Sequence, residues 1–276
     1  MVATALVPAT VLYIVRHGDR FDYGAGRTAW KERCARTGVE KSDPPLSALG
    51  HSQARDVAAR MAVESLNQIV VSPYLRALQT AQYTAHATGL ELCVDFAAAE
   101  LHQNPSVIPR PTSTTRLAHL PEISESYQPM LSTVVVGKPG DFEPGVEPRL
   151  EHMRRMLWLA KAFTEQRFRG PRVATFTHGA SLALVAALLG APTLANVGRF
   201  APCGVIKVVR SDVDSPWECV EAGDDNTAYV SANSDATPPW GFEQSACPID
   251  EIERNWKEAC RLGPTNLDDL RAREQP

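Results

Sequence analysis

Short apolar runs rich in β-branched residues alternate along the chain with longer segments in which apolar residues recur at helical spacing. The apolar runs predict five strands, at residues 11–15, 69–71, 90–94, 172–177 and 204–209. The periodic segments predict helices at residues 47–65, 72–89, 149–168 and 180–189. Near-continuous apolar strands that alternate with helices are typical of a parallel sheet buried on both faces. We therefore expect an α/β protein, a three-layer α/β/α sandwich around a doubly wound, mostly parallel sheet.

Polar residues mark several of the boundaries between these elements. Ser47 is the predicted N-cap of the first helix. Ser72, followed by Pro73, predicts the start of the second helix, and Gly89 predicts its end. Two polar stretches, residues 21–46 and 101–147, show little periodicity. We expect both to be loop insertions near the functional site, since long loops in compact domains are usually functional or disordered.

The charge of the chain is divided unevenly, although its composition is ordinary for a globular protein. Of the 276 residues, 44% are hydrophobic and 22% are charged, and the net charge is −4. Residues 1–210 hold 23 Lys and Arg against 17 Asp and Glu, whereas residues 211–276 hold 5 against 15. We expect a basic domain over 1–210. Residues 211–276 are expected to form an acidic extension that packs on this domain or is partly disordered, with a helix at 249–262.

The cysteines and the N-terminus indicate the compartment. The six cysteines form no C-x-x-C pair and are too sparse for a disulfide framework, so we expect free thiols. The apolar N-terminus lacks the basic region of a signal peptide, and Pro8 interrupts it. No stretch approaches the roughly 18 uninterrupted apolar residues of a membrane span. These features predict a cytoplasmic protein without a membrane partner, and the net charge of −4 predicts no nucleic-acid partner.

Charged and titratable residues follow four of the predicted strands directly or within a few residues. The first strand is followed by Arg16, His17 and Arg20, and the later strands by Arg76, Glu100 and His178. In a doubly wound sheet, ligands bind beyond the carboxyl ends of the strands. We therefore expect these side chains to meet at one edge of the sheet.

This set of residue types suits phosphoryl transfer. Arginine presents a planar fork of donors to phosphate oxygens. A neutral imidazole is a nucleophile that can form a covalent intermediate, and a carboxylic acid can protonate a leaving oxygen and then activate water. Histidines without helical H-x-x-x-H spacing and scattered cysteines predict no metal site.

The same residues carry a family resemblance. The R-H-G-D-R sequence at 16–20, the D-P-P-L-S sequence at 43–47, the S-P-x-x-R sequence at 72–76 and the T-H-G sequence at 177–179 resemble the ordered motifs of the histidine phosphatase superfamily, which includes phosphoglycerate mutases. The first two motifs are similar to one branch, which holds the phosphatase domains of the suppressors of T-cell receptor signalling and the ecdysteroid-phosphate phosphatases. The resemblance covers roughly residues 11–210 and implies a phosphoglycerate mutase-like fold.

The resemblance implies a role for each matched residue. His17 is the nucleophile that becomes phosphohistidine, with its other ring nitrogen fixed by a backbone carbonyl such as that of Gly18. Glu100 is the proton donor, and His178 acts beside it as an imidazolium that donates to the phosphoryl group. The phosphoryl oxygens are bound by Arg16, Arg20, Arg76, His178 and the backbone of Gly179.

Two of these assignments have alternatives. Glu91, Asp95, Glu122 and Glu125 are other candidates for the acid, and a bridge to an arginine is the structural alternative for Glu100. Arg20 is either a substrate contact or the salt-bridge partner of Asp19 or Asp22. We expect His51, His86 and His152, which lie on predicted helices, to be exposed.

The sequence therefore predicts a phosphatase that needs neither metal nor cofactor and acts on a small phosphorylated substrate or a phosphopeptide. The alternatives are a catalytically weak or inactive scaffold module and, less favoured, a phosphoglycerate mutase. Arg20 stands where the mutase motif usually has serine. A homodimer is possible, and the sequence does not specify the substrate.

Overall fold

The computed structural model describes residues 10–23, 26–101, 147–165, 170–197, 200–212, 214–223, 225–233 and 249–266. Most of the predicted insertion at 101–147 lies outside these ranges. The candidate acids Glu122 and Glu125 lie outside them as well.

A six-stranded sheet forms the centre of the molecule. Its strands are β1 (Thr10–Arg16), β2 (Gln68–Val71), β3 (Leu92–Val94), β4 (Arg172–Thr177), β5 (Val205–Arg210) and β6 (Glu218–Glu221). They lie in the order β3-β2-β4-β1-β5-β6. The first four pair in parallel, whereas β5 runs antiparallel to β1 and β6 antiparallel to β5. The predicted mostly parallel sheet is confirmed.

Helices cover both faces of this sheet. The described part of the chain contains α1 (Gly26–Thr37), α2 (Ala48–Ala62), α3 (Leu75–Thr88), α4 (Arg149–Thr164), α5 (Leu182–Leu189) and α6 (Ile249–Leu262). α2 packs on α3, and α4 packs on α5 and α6. All seven residues of β1 are buried, which requires cover on each face of the sheet. The predicted α/β class is confirmed.

Local boundaries agree with the sequence signals in part. The Ser47 hydroxyl accepts a hydrogen bond from the N–H of Gly50 at 3.0 Å, as predicted for an N-cap. Gly89 ends α3 in the left-handed conformation. Ser72, however, does not cap α3, because Tyr74 occupies the N-cap position. The predicted helix at 180–189 is preceded by a 3-10 turn, Gly179–Ser181.

The polar stretch at 21–46 is not wholly a loop, which corrects that prediction. It contains α1, a helix of 12 residues. The buried side chains of α1 are Trp30 and Cys34, one turn apart. Two buried residues are too few to produce the repeating apolar pattern by which a helix is recognised in sequence.

The described parts of the acidic segment pack against the rest of the chain. β6 extends the sheet, and α6 contacts α4 and α5. Residues 225–233, which we call the strap, contact α2 through Asn233, whose side-chain oxygen accepts from Gln53 at 3.1 Å. Asn226 binds Asn233 within the strap and donates to the carbonyl of Pro202.

Among the residues that the structure describes, we find no helix with the length and apolar character needed to cross a bilayer.

Candidate active site

The carboxyl ends of β1 to β4 bring the predicted residues to one edge of the sheet. Arg16 ends β1, and the next residue is His17. Arg76 lies in the first turn of α3, after β2, and His178 follows β4 directly. Glu100 follows the 3-10 turn Phe96–Ala98 that comes after β3. All five of these residues are buried, with exposed fractions between 0% and 8%.

The ring of His17 is fixed in a single tautomer. Its Nδ1 lies 2.7 Å from the carbonyl of Gly18, and because a carbonyl only accepts, Nδ1 carries the hydrogen. Nε2 therefore keeps its lone pair. Burial first, and then the charges of Arg76 and Arg16, lower the pKa of His17 well below its usual 6.5. The imidazole is neutral near pH 7, which is the state a nucleophile needs.

Close backbone packing holds the turn that carries His17. A Cβ on Gly18 would lie 2.6 Å from the carbonyl oxygen of Gly50, and one on Gly50 would lie 2.1 Å from that of Asp19. Only glycine permits this approach between the turn and the first turn of α2. The N–H of Gly18 also donates to Thr80 Oγ1 at 3.1 Å. Residues 18 and 19 are thus fixed against both α2 and α3.

His178 lies beside His17, with ring centroids 5.3 Å apart. Its Nε2 is 2.7 Å from Ser72 Oγ, and its Nδ1 is 3.5 Å from Glu100 Oε2. Burial, followed by the charges of Arg76 and the neighbouring His17, lowers the pKa of His178 well below 6.5. Among the buried groups of this site, His178 is therefore not the imidazolium that the sequence predicted. The neutral ring has one N–H and can donate a single hydrogen bond.

Two buried arginines flank the histidines. Arg16 donates to the carbonyl of Phe200. Arg76 donates to the carbonyl of Ser42 at 3.1 Å and lies 3.4 Å from Glu100 Oε2. Both guanidinium groups are 1% exposed and create a strongly positive environment around His17.

Arg20 forms the ion pair with Asp22 that the sequence offered as the alternative to a substrate contact. Its Nε and Nη2 bind the two oxygens of Asp22 at 2.8 and 2.7 Å. It also acts electrostatically on His17 and His178, whose pKa values it lowers. Arg20 therefore lies near the histidines while bound to Asp22.

Glu100 is the candidate acid that contacts the other site residues. Its Oε2 is shared by Arg76 and His178, and its Oε1 accepts from the N–H of Leu101 at 3.1 Å. Of the alternatives, Asp95 accepts from the N–H of Ala97 as an N-cap, and Glu91 is exposed. The expected bridge from this carboxylate to an arginine is present together with the contact to His178.

Gly179 begins the 3-10 turn that runs directly into α5. Its backbone N–H therefore lies at the start of a helical segment, next to His178. The first N–H groups of such a segment have no partner within it, which suits them to an anion.

Sequence reasoning missed a buried ionic cluster on α4. Arg155 binds both oxygens of Glu147, at 2.7 and 2.6 Å, and His152 Nδ1 accepts from Arg155 at 2.8 Å. His152 is 2% exposed, so its predicted exposure is wrong. Burial would raise the pKa of Glu147, but the charge and hydrogen bonds of Arg155 lower it overall. The one signal in the sequence is that His152 and Arg155 share a helix face with the apolar Met156 and Leu159.

The charges of the site favour an anion. The ligand atoms of His17, Glu100 and His178 lie within 4.8 Å of one another, a spacing that a metal ion could use. Arg16 and Arg76 beside them repel a cation and attract an anion with oxygen acceptors. Two neutral imidazoles and the guanidinium groups of Arg16, Arg20 and Arg76 form a site that favours an anion with oxygen acceptors.

Comparisons with known proteins agree with this geometry. The sequence profile of the histidine phosphatase superfamily (branch 1) matches residues 12–224. A probable phosphoglycerate mutase GpmB of Escherichia fergusonii is 30% identical over 218 residues, which cover 77% of this chain and 92% of that protein. The GpmB of Enterobacter sp. (strain 638) is 28% identical over 211 residues, 75% and 86% of the two chains.

Solved structures with a similar fold include phosphatases. A mycobacterial glucosyl-3-phosphoglycerate phosphatase has a TM-score of 0.51 at 24% identity, over 79% of this chain and 100% of that chain. The ecdysone phosphate phosphatase of Bombix mori has a TM-score of 0.55 at 20% identity, over 82% and 96%.

The fold and the site define an α/β enzyme of the phosphatase type. The chain belongs to the histidine phosphatase superfamily, branch 1. The resemblance inferred from the four sequence motifs is confirmed.

Proposed function

We propose that the protein hydrolyses phosphomonoesters through a phosphohistidine on His17, with Glu100 as the proton donor and no metal or cofactor. The observation that carries this proposal is the state of His17. Its Nδ1 is held by the Gly18 carbonyl, its ring is neutral, and its Nε2 keeps a lone pair among arginines. Those are the requirements for nucleophilic attack on a phosphoryl group that arginines hold.

The reaction has two steps. In the first, His17 Nε2 attacks phosphorus, a P–N bond forms, the P–O bond to the leaving group breaks, and Glu100 gives its proton to the leaving oxygen. In the second, a water molecule attacks phosphorus, ionised Glu100 takes one of its protons, and the P–N bond breaks. Inorganic phosphate leaves, and both side chains return to their starting states.

The remaining residues stabilise the charge on the transferring group. Arg16, Arg76 and Arg20 would bind the phosphoryl oxygens, with His178 and the N–H of Gly179 adding donors. A phosphoryl dianion between Arg76 and Glu100 competes with the carboxylate for Arg76.

The substrate class we propose is a small phosphorylated molecule, with a phosphopeptide as the second possibility. Two proteins of similar fold are named for the phosphomonoesters of small molecules. A cytoplasmic location and a homodimer stay predictions.

The test is the effect of His17→Asn on phosphate release from p-nitrophenyl phosphate in EDTA. The wild type is expected to turn over in EDTA and to form an acid-labile, alkali-stable phosphoryl adduct at His17. His17→Asn is expected to lose both. His86→Asn, which changes an exposed histidine on α3, is the matched control. Full activity in His17→Asn would overturn the proposal, and so would an activity that EDTA abolishes.

A mutase is the second candidate, because the curated relatives carry that name. Interconversion of phosphoglycerates that depends on added bisphosphoglycerate would favour it. A panel of phosphorylated small molecules and phosphotyrosine peptides separates both enzymes from a scaffold. A folded protein that turns over none of them would be the inactive module.

A further inference from the structure

A buried arginine outside the phosphate site holds the chain segment that ends in Glu100. We infer that Arg155 is a positioning residue for the proton donor, so that α4 sets the place of Glu100. The inference rests on the proposed function, because it concerns the acid in that reaction. Arg155 is 1% exposed and lies on the inner face of α4.

Arg155 binds the backbone of this segment at three carbonyl groups. Its Nη1 donates to the carbonyls of Ala97 and Ala99, at 2.6 and 2.9 Å. Its Nη2 donates to the carbonyl of Glu100 itself at 3.3 Å. The remaining carbonyl, that of Ala98, accepts from Thr177 Oγ1 at 3.1 Å. Each peptide oxygen from 97 to 100 therefore has a partner on α4 or at the end of β4.

The charge of Arg155 is balanced by a partner that keeps its guanidinium in one orientation. Glu147 binds Nε and Nη2 through both carboxylate oxygens, which leaves Nη1 directed at the carbonyls. Because the guanidinium is planar, binding at Nε and Nη2 also fixes the directions of its remaining N–H donors. A lysine has one nitrogen and cannot serve Glu147 and three carbonyls together.

The same cluster reaches the loop of the second histidine. His152 Nδ1 accepts from Arg155, and its Nε2 lies 3.4 Å from the carbonyl of Ala180, two residues after His178. Glu100 and His178 face each other across 3.5 Å. The cluster Arg155, Glu147 and His152 thus supports both sides of that contact.

Positioning of an acid has a kinetic signature that loss of stability lacks. Proton donation matters most when the leaving group is a poor one, such as an alkoxide, and least for p-nitrophenolate, which leaves as a stable anion. A displaced Glu100 therefore slows alkyl phosphates selectively, whereas partial unfolding lowers the rate on both substrates by the same factor.

The test measures kcat/KM for Arg155→Lys on β-glycerophosphate and on p-nitrophenyl phosphate, because kcat/KM reports the first step, in which the leaving group departs, and not the second step, which is common to both substrates. We expect a loss of about 10- to 100-fold on the alkyl ester, because a displaced acid forfeits part of the roughly 10²- to 10⁴-fold that general acid catalysis contributes. On the aryl ester we expect a loss of less than about 3-fold. Arg154→Lys is the matched control, because the adjacent Arg154 binds Glu151 and the carbonyl of Gly263 instead. It is expected to change neither rate. If Arg155→Lys does not fold, Glu147→Gln, which loosens the same guanidinium, is put through the same comparison.

A double-mutant cycle shows whether Arg155 acts through Glu100. In a Glu100→Gln background, Arg155→Lys is expected to cause no further selective loss on the alkyl ester, because coupled residues are non-additive. Equal losses on both substrates, or losses that multiply in the double variant, would overturn the inference. Should Glu100→Gln itself show no selectivity for the leaving group, the proposed acid fails instead, and the two failures are distinguishable.

Discussion

The contact between the His17 turn and α2 gives a quantitative prediction. A Cβ on Gly18 would lie 2.6 Å from the carbonyl oxygen of Gly50, whereas ordinary contacts of this kind are longer than 3.0 Å. Both partners are backbone, so no side chain can move aside. Gly18→Ala must therefore separate the turn from α2 by at least about 0.4 Å, and such a shift destabilises the protein as overpacking does.

This displacement acts directly on the proposed nucleophile, because the Gly18 carbonyl orients the His17 ring. A misplacement of ~1 Å costs roughly 10²-fold in rate, so we expect kcat in Gly18→Ala to fall by about 10-fold or more. Gly50→Ala, with its 2.1 Å contact, is expected to lose more.

The assay is steady-state hydrolysis of p-nitrophenyl phosphate by protein shown to be folded by circular dichroism. Gly38→Ala is the control, since a Cβ there meets nothing within 4 Å, although Gly38 has a φ of +72°. It costs about 1–2 kcal/mol of stability from backbone strain and leaves kcat unchanged. A Gly18→Ala variant with wild-type kcat would refute the proposed dependence on this contact.

Three further predictions follow from the described contacts. Burial and nearby arginines lower the pKa of His17 and His178 well below 6.5, so below that pH the unfolded state binds more protons than the folded state. Stability is therefore lost as pH falls below 6.5, by up to about 1.4 kcal/mol per pH unit for each histidine. Urea denaturation between pH 7.5 and 5 measures this slope, and His17→Asn should reduce it; a flat profile would contradict the argument. Asn233→Ala removes the side-chain contacts of Asn233 with Gln53 of α2 and with Asn226, and it is expected to lower the free energy of unfolding by about 1–3 kcal/mol; an unchanged urea midpoint would contradict this. Arg20→Ala is expected to weaken inhibition by inorganic phosphate about 10-fold or more, whereas Asp22→Asn, which breaks the same ion pair, is not; equal effects would assign Arg20 to structure alone.

The sequence predicted the parts of the fold that depend on local pattern. Strand ends are visible because apolar, β-branched runs stop at charged residues, and this placed Arg16, Arg76 and His178 correctly at one edge. The end of α3 at Gly89 was predictable because a left-handed residue there favours glycine.

The parts that the sequence did not predict depend on partners distant in the chain. Arg155 and His152 look like exposed helix residues until Glu147 and the carbonyls of 97–100 are known to face them. The neutral state of His178 depends on burial and on Arg76, neither of which a single motif reveals. The helix α1 buries two side chains, too few to give a readable period.

The position of the two histidines has a consequence for how such an enzyme can change over evolutionary time. The N–H of His17 donates to the carbonyl of Thr177 at 3.0 Å, so the ladder between β1 and β4 continues to the residues that bear the chemistry. The ring separation of 5.3 Å is close to the ~4.8 Å spacing of adjacent strands. The spacing between β1 and β4 therefore sets the distance between the backbones of His17 and His178. A longer distance would require these two strands to separate. We therefore expect substrate preference to change through the loops around this edge, with the distance between His17 and His178 kept.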